Sequence, residues 1–432
     1  MFRITQYMKT LQEPTPVGPA RKPPGPVVIW NLIRRCNLTC KHCYSISADI
    51  DFKGELSTDE VFTVMDDLKG FRVPVLILSG GEPLLRPDIF EISKRAKDMG
   101  FYVGLSSNGT LITEENIDQI AEVGYDYVGV SIDGLKETHD VFRQRKGAFE
   151  ESMHGIQLCR EKGIKVGIRT TLTQDNAKEL PELLNLMDEY DIDKFYLSHL
   201  NYAGRGNRNR KRDAFHQMTR DALELIFDRC WNELKQGIHR EYVTGNNDAD
   251  GPFLLQWAER NVPDQVEALR QRLVNWGGNS SGVNISNIDN LGNVHPDTFW
   301  WDYHLGNVRE KPFSEIWRDP QDELMKGFRQ TPRPVHGRCG DCKYLSICGG
   351  NTRVRAYQLT DDPWAEDPAC YLSNEEIGVD AQDEDRLEMP NKYPNRRFSD
   401  PLPKTKTTQK ARENNDITRP KSTDEAIQYV NI

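Results

Sequence analysis

Cys36-Asn37-Leu38-Thr39-Cys40-Lys41-His42-Cys43-Tyr44 packs three cysteines into eight residues, at x3 and x2 spacing. The stretch follows the apolar run 27–33, which reads as a buried strand, so the cysteines hang from a strand's C-terminal end. Three thiolates on a short loop suit one face of an iron–sulfur cube and leave its fourth iron without a protein ligand. Such an open corner can bind and activate a small molecule. A zinc site completed by His42 is a rival, although zinc loops usually arrive as two Cys-x2-Cys knuckles. A disulfide is the third reading.

Outward from that loop, strands and helices alternate. Strands are expected at 73–78, 101–105, 127–132, 165–172 and 194–200. Ser57-Thr58-Asp59-Glu60 has the form of a capping box opening a helix to 69. Helices at 88–99, 113–123, 149–162 and 176–190 separate the later strands, three of them stopped by Gly100, Gly124 and Gly163. This alternation implies right-handed parallel βαβ units, six in all, forming either a partial barrel or a doubly wound sheet. In both, ligands sit beyond the strands' C-terminal ends. There fall the cysteine loop, Gly80-Gly81-Glu82-Pro83, Ser106-Ser107-Asn108-Gly109 and Ser131-Ile132-Asp133-Gly134, with Arg169 and Thr171 near the end of the fifth strand.

Composition narrows the class. The 432 residues carry 56 basic against 66 acidic side chains, net −10, without a basic block of the kind that tracks nucleic acid. The run 73–78 is too short to cross a bilayer, and the first ten residues hold no signal core, so no membrane is expected. Seven of nine cysteines cluster, as metal or redox ligands do in a reducing compartment, which points to the cytoplasm. Residues 1–26, with Pro14, Pro16, Pro19, Pro23, Pro24 and Pro26, read as an extended lead-in. The charged, proline-punctuated stretch 374–432 reads as a disordered tail.

The cysteine triplet followed by an aromatic residue, with Gly80-Gly81-Glu82-Pro83 after the next strand, resembles the radical S-adenosylmethionine (SAM) enzymes. The resemblance implies an open (β/α)6 barrel over 27–240 and a [4Fe–4S] cluster on Cys36, Cys40 and Cys43. It also implies SAM on the open iron, cleaved by one electron to a 5′-deoxyadenosyl radical. Gly80, Gly81 and Glu82 would meet the methionyl amino end, and Tyr44 the adenine. Ser107, Asn108, Ser131, Asp133 and Arg169 would complete the cofactor site. Glycines let backbone approach a ligand, and Glu82 can pair with an ammonium.

After the sixth strand, Arg205, Arg208 and Arg210 lie in the densest positive patch of an acidic chain. They read either as a solvated loop or as a clamp for anions at the barrel mouth. Further on, a long helix is expected at 213–233, a polar connector at 245–251, a helix at 257–273, and a hairpin at 282–293 turning at Asn290-Leu291-Gly292.

Cys339, Cys342, Cys348 and Cys370 form a second set at x2, x5 and x21 spacing, a complete ligand set for zinc or for iron and sulfur. The hairpin, Leu305-Gly306-Asn307-Val308, Phe313-Ser314-Glu315-Ile316-Trp317 and the cysteine run resemble the SPASM/twitch extension of radical SAM enzymes, here over 241–373. That likeness implies an auxiliary [4Fe–4S] cluster on these four. Asp297 and Thr352 stand where the full extension has further cysteines, so two clusters are expected in the chain as a whole. Cys159 and Cys230 read as small core residues on helices.

Two phrases narrow the family. Leu197-Ser198-His199-Leu200-Asn201-Tyr202-Ala203-Gly204-Arg205-Gly206-Asn207 and the segment from His295 to Val308 are similar to the radical SAM proteins of heme d1 biosynthesis. That resemblance implies an iron-containing tetrapyrrole, didecarboxysiroheme, losing two propionates, with a flavodoxin- or ferredoxin-type electron donor. The arginines would grip carboxylates, and Phe299, Trp300, Trp301 and Tyr303 would wall the macrocycle. His199, His295 and His304 are candidate iron ligands or proton donors, each with an ordinary structural alternative. The alternatives are acetate trimming in alternative heme biosynthesis, a SPASM-type peptide maturase, and a non-catalytic iron–sulfur or heme carrier.

Overall fold

The structure is a computed structural model and describes residues 1–19, 23–318 and 321–380. Its centre is one ten-stranded sheet in the order β10-β9-β8-β1-β2-β3-β4-β5-β6-β7. The strands are β1 (Val27–Asn31), β2 (Val75–Ser79), β3 (Tyr102–Ser107), β4 (Tyr127–Ser131), β5 (Val166–Leu172) and β6 (Lys194–His199). They continue with β7 (Glu241–Gly245), β8 (Ile285–Ile288), β9 (Asn293–His295) and β10 (Gly306–Asn307). Strands β1 to β7 pair in parallel, each with the next. The six expected βα units are all present.

The local chemistry explains the elements. Ser57 and Glu60 form the capping box that starts the helix Thr58–Gly70. Along each strand, alternate residues turn outward onto the helices, where Val28, Trp30, Leu76, Leu78, Val128, Val130, Val166 and Ile168 are buried. The inward set mixes Ile29, Ile77, Tyr127 and Tyr196 with small or polar residues: Asn31, Ser79, Gly104, Ser106, Gly129, Ser131, Gly167, Arg169 and Ser198. Gly167 leaves room for a neighbour, since a Cβ there would sit 2.4 Å from the Tyr127 hydroxyl.

Several elements differ from the sequence reading. Residues 4–12 are not an extended lead-in but a helix, Ile4–Gln12, burying Ile4, Met8 and Leu11. The prolines begin only at Pro14, and Ile4, Met8 and Leu11 recur at helical spacing ahead of them. Phe2 pairs with Thr244 of β7, 2.7 and 2.8 Å between backbone partners, and packs on Tyr7 and Trp276. The helix Lys136–Arg143 was not foreseen. The expected helix at 257–273 is two helices, Asp250–Asn261 and Val266–Trp276, parted at Pro263.

The hairpin is no separate layer. Its strand β8 pairs in parallel with β1 (Ile29 opposite Asn287), so the second half of the chain extends the barrel sheet. Residues 374–377, expected in the disordered tail, form a helix with a Ser373/Glu376 capping box, and Glu376 pairs with Arg220. Beyond Asp380 the expected tail lies outside the described residues. Among the described residues, no helix is long and apolar enough to cross a membrane.

Candidate active site

The loop leaving β1 carries Cys36 and Cys40 buried and Cys43 half-buried. Each sulfur receives donors: Leu38 N on Cys36 at 3.4 Å, Arg143 Nη1 on Cys40 at 3.4 Å, and Ser47 N on Cys43 at 3.5 Å. Burial works against ionisation of all three. At Cys43 the nearby Arg205 and hydrogen bonds from Ser45 and Ser47 outweigh it, holding the thiol below its usual range. At Cys36 and Cys40 burial wins and the thiols are pushed up.

The three polar turns converge on this loop. Gly81 N donates to Ile33 O at 2.6 Å and Glu82 N to Arg35 O at 2.9 Å, so the Gly-Gly-Glu turn is laced to the cysteine loop. Glu82 is fully buried and accepts from Ser107 Oγ (2.9 Å), Asn108 N (2.8 Å) and Leu84 N (3.2 Å). Burial still prevails over those bonds and pushes its carboxyl up to about 7. Asn108 Nδ2 reaches back to Asn37 Oδ1 at 2.9 Å. Asn31 Nδ2 donates to the Tyr44 hydroxyl at 2.7 Å, and Asn287 of β8 donates to Asn31 at 2.6 Å. Ser131 and Arg169 face the barrel interior, where the Arg169 guanidinium bonds Ser106 and lies 5.2 Å from the Tyr196 ring.

Other expected site residues are placed differently. Asp133 is buried against Arg143 and Thr171 N (2.6 Å), which engages both its oxygens within the protein. Arg205 points inward, donating to Cys40 O at 2.7 Å and Ser47 O at 2.9 Å; it holds the cysteine loop rather than facing the mouth. Arg210 is buried and bonded to Asn207, so of the three arginines only Arg208 is exposed. Trp300 is a core residue beside Tyr303, Phe328 and Tyr357, and the Tyr303 hydroxyl bonds Asp322. Phe299 and Trp301 do reach the site, meeting Tyr44 edge-on at 5.5 and 5.9 Å.

Two of the three histidines are claimed by carboxylates. On β6, Ser198 faces inward and His199 outward, where its Nε2 lies 3.0 Å from Asp250; Tyr371 bonds the same carboxylate at 2.8 Å. His295 Nδ1 donates to Tyr303 O at 2.7 Å, with Nε2 3.4 Å from Asp289. His304 is half-buried beside this aromatic segment.

The second cysteine set lines one cavity together with Arg338 and Tyr344. Arg338 bonds Leu372 O and Asn374, fixing the segment that brings Cys370 to the other three. Asp297 accepts from Ser281 Oγ and from Phe299 N (2.7 Å), and Thr352 donates to Asn246 O (3.2 Å), so both are used locally.

The first set fits iron and sulfur better than zinc. Zinc gathers its ligands around one point, usually as two Cys-x2-Cys knuckles, whereas this set is a single three-cysteine loop. A cube takes each thiolate on a different iron. Around the first set, Arg143 Nε, Arg205 Nη2 and His42 Nδ1 are buried without a partner, donors that the sulfides of an anionic cluster could satisfy.

Residues 30–187 match the Radical SAM superfamily, and residues 282–343 match SPASM, an iron–sulfur cluster-binding domain. Pre-heme d1 synthase of Dinoroseobacter shibae is 53% identical over 389 residues, covering 90% of this chain and 96% of that protein. The chain belongs to the radical SAM superfamily. Fe-coproporphyrin III synthase of Methanosarcina barkeri is 44% identical, with 82% of this chain and 89% of that protein covered. Among solved structures, SuiB of Streptococcus suis bound to S-adenosylmethionine superposes with a TM-score of 0.64 at 18% identity, covering 81% of this chain and 78% of that one. That likeness supports the fold. As a radical SAM enzyme with a SPASM extension, the chain binds SAM and a [4Fe–4S] cluster, with further iron and sulfur in the extension.

Sequence reasoning missed Arg143, Asn287 and the His199–Asp250–Tyr371 clasp, whose partners lie far apart in the chain. Asn31 left a signal, as the one polar residue in the run 27–33. Arg205 was noticed for its charge and given the wrong direction.

Proposed function

We propose that this radical SAM enzyme acts on an iron-containing tetrapyrrole in heme d1 biosynthesis and removes two propionate side chains from 12,18-didecarboxysiroheme. The observation that carries the reading is the 53% identity to pre-heme d1 synthase across nearly the whole of both chains. Cys36, Cys40 and Cys43 hold the catalytic cluster, and Cys339, Cys342, Cys348 and Cys370 the auxiliary one. When bound there, the first cluster and SAM would supply a 5′-deoxyadenosyl radical for hydrogen abstraction from a propionate carbon. The protein's part is to fix the loop through Arg205, to hold SAM between Tyr44, Glu82 and the interior Ser131 and Arg169, and to close the mouth with Phe299 and Trp301. Arg208 is the exposed cation placed to meet a substrate carboxylate. A flavodoxin- or ferredoxin-type protein supplies electrons, and the setting is cytoplasmic.

Anaerobic incubation with SAM, reductant and didecarboxysiroheme will give 5′-deoxyadenosine and a product lighter by two propionate side chains. Loss of acetate carboxyls instead would favour the second reading, which rests on the 32% identity to AdoMet-dependent heme synthase of Methanosarcina barkeri. Absence of 5′-deoxyadenosine would leave only a carrier.

Glu82 makes SAM binding depend on pH. Its carboxyl titrates near 7, and only the ionised form pairs with the SAM ammonium. Affinity will therefore fall about tenfold per pH unit below 7 and fall again above about 8, where an α-amino group loses its proton. Glu82→Gln will bind weakly with no such slope below about 7 in titration calorimetry. The same raised value means that the contribution of Glu82 to the SAM-free fold is most favourable below the usual carboxylate range. It loses up to about 3 kcal/mol as pH rises through 7.

A further inference from the structure

Arg143 ends the helix Lys136–Arg143 and is buried with its charge. Its guanidinium is spread over three directions. Nη2 is bonded to Asp133, Nη1 lies 3.4 Å from Cys40 Sγ, and Nε is buried without a partner. Asp133 is itself fixed, by Thr171 N at 2.6 Å, while its own backbone N–H bonds His139 Nδ1 at 3.1 Å. The end of the helix is tied to the cysteine loop as well: Lys41 N donates to Phe142 O at 3.0 Å, and the His42 ring lies 4.7 Å from that of Phe142. The guanidinium therefore cannot swing away from the sulfur without breaking a buried ion pair.

This differs from the role of Arg205. Arg205 bonds backbone carbonyls and so shapes the loop, whereas Arg143 bonds a sulfur and so acts on its electrons. A helix C-terminus carries partial negative charge, which would disfavour adding an electron nearby. Glu82 adds to that when ionised. Arg143 is the cation bonded to the Cys40 sulfur that opposes both.

We infer that Arg143, held by Asp133 against Cys40 Sγ, is a positioning residue that raises the reduction potential of the catalytic cluster. The inference rests on Cys40 being a ligand of that cluster. The step concerned is a one-electron reduction in which no atom is transferred. The reduced cluster carries one more negative charge, and the hydrogen bond and the positive charge both stabilise that state. Hydrogen bonds to sulfur and net charge are established levers on such potentials. Asp133 has the opposite effect, screening the guanidinium.

The test is a redox titration of the anaerobically reconstituted enzyme, with dithionite as reductant and the cluster's electron paramagnetic resonance signal as readout, without SAM. In Arg143→Gln the reduction equilibrium will shift at least tenfold toward the oxidised cluster, about 59 mV in midpoint. In Asp133→Asn it will shift the other way. Arg143→Lys, which keeps the charge and loses the fork, will fall between wild type and Arg143→Gln. If Arg143→Gln fails to hold iron because Asp133 is left buried and unpaired, the double variant Arg143→Gln/Asp133→Asn removes both charges. It will still titrate below wild type, because the lost cation is the group in contact with sulfur. An unchanged midpoint, in the single variant or in the double where the single holds no iron, overturns the inference. Retention of the full signal in Cys40→Ala overturns the ligand assignment instead, so the two failures are distinct.

Discussion

Arg205→Ala protein will emerge from anaerobic reconstitution poor in iron at the first site, with SAM cleavage reduced roughly a hundredfold, the upper end of what removing a supporting residue costs a metal site. The reason is where the side chain goes. Its Nε and Nη1 satisfy the carbonyls of Cys40 and Ser47, and its own N–H bonds Cys43 O at 2.9 Å. Truncation orphans two buried carbonyls at about 1–3 kcal/mol each and removes the cation that favours a thiolate at Cys43. A substrate clamp would behave otherwise: iron content and substrate-free SAM cleavage would survive, and only tetrapyrrole binding would weaken. Arg208→Ala should show that second pattern. Iron and 5′-deoxyadenosine measured in both variants separate the roles.

Gly81→Ala will be the more damaging change to the fold. A Cβ at Gly81 would lie 2.2 Å from Arg35 O and 2.4 Å from Arg34 O, both backbone atoms with no rotamer to change. The turn after β2 would have to part from the cysteine loop, breaking the Gly81–Ile33 and Glu82–Arg35 hydrogen bonds. Overpacking of this kind costs about 3 kcal/mol, or roughly 3 °C in the melting temperature of a chain this size. Gly70→Ala is the control, since nothing lies within 4 Å of its Cβ position, and it should melt within a degree or two of wild type. Calorimetry of both SAM-free proteins checks the pair.

These two residues mark what was legible in the chain. Gly81 could be read because its chemistry is local: a glycine pair and a carboxylate after an aliphatic strand announce a turn that a ligand or a backbone approaches closely. The first six strands could be read for the same reason, each being a short aliphatic run closed by a glycine or a polar turn, whereas β7 was not expected. Arg205 could be noticed but not aimed, because its partners are carbonyls more than 150 residues earlier. The histidines failed similarly. That His199 faces outward follows from strand alternation, but the carboxylate that receives it comes from Asp250 on a helix whose packing no pattern reveals. Trp300 and Trp301 are neighbours in sequence with opposite fates, one in the core and one at Tyr44, decided by the Asp297 turn that precedes them.

The pairing of β8 with β1 has a consequence for how the two iron–sulfur regions can be inherited. Without residues 285–288, β1 would be an edge strand, its outer amides and carbonyls open beside the catalytic loop and ready to pair with another chain. Asn31, which orients Tyr44, would also lose Asn287. The extension is therefore the closing stave of the barrel as well as the holder of a second cluster. A lineage could exchange the auxiliary cysteines, yet it could not discard the strand that pairs with β1.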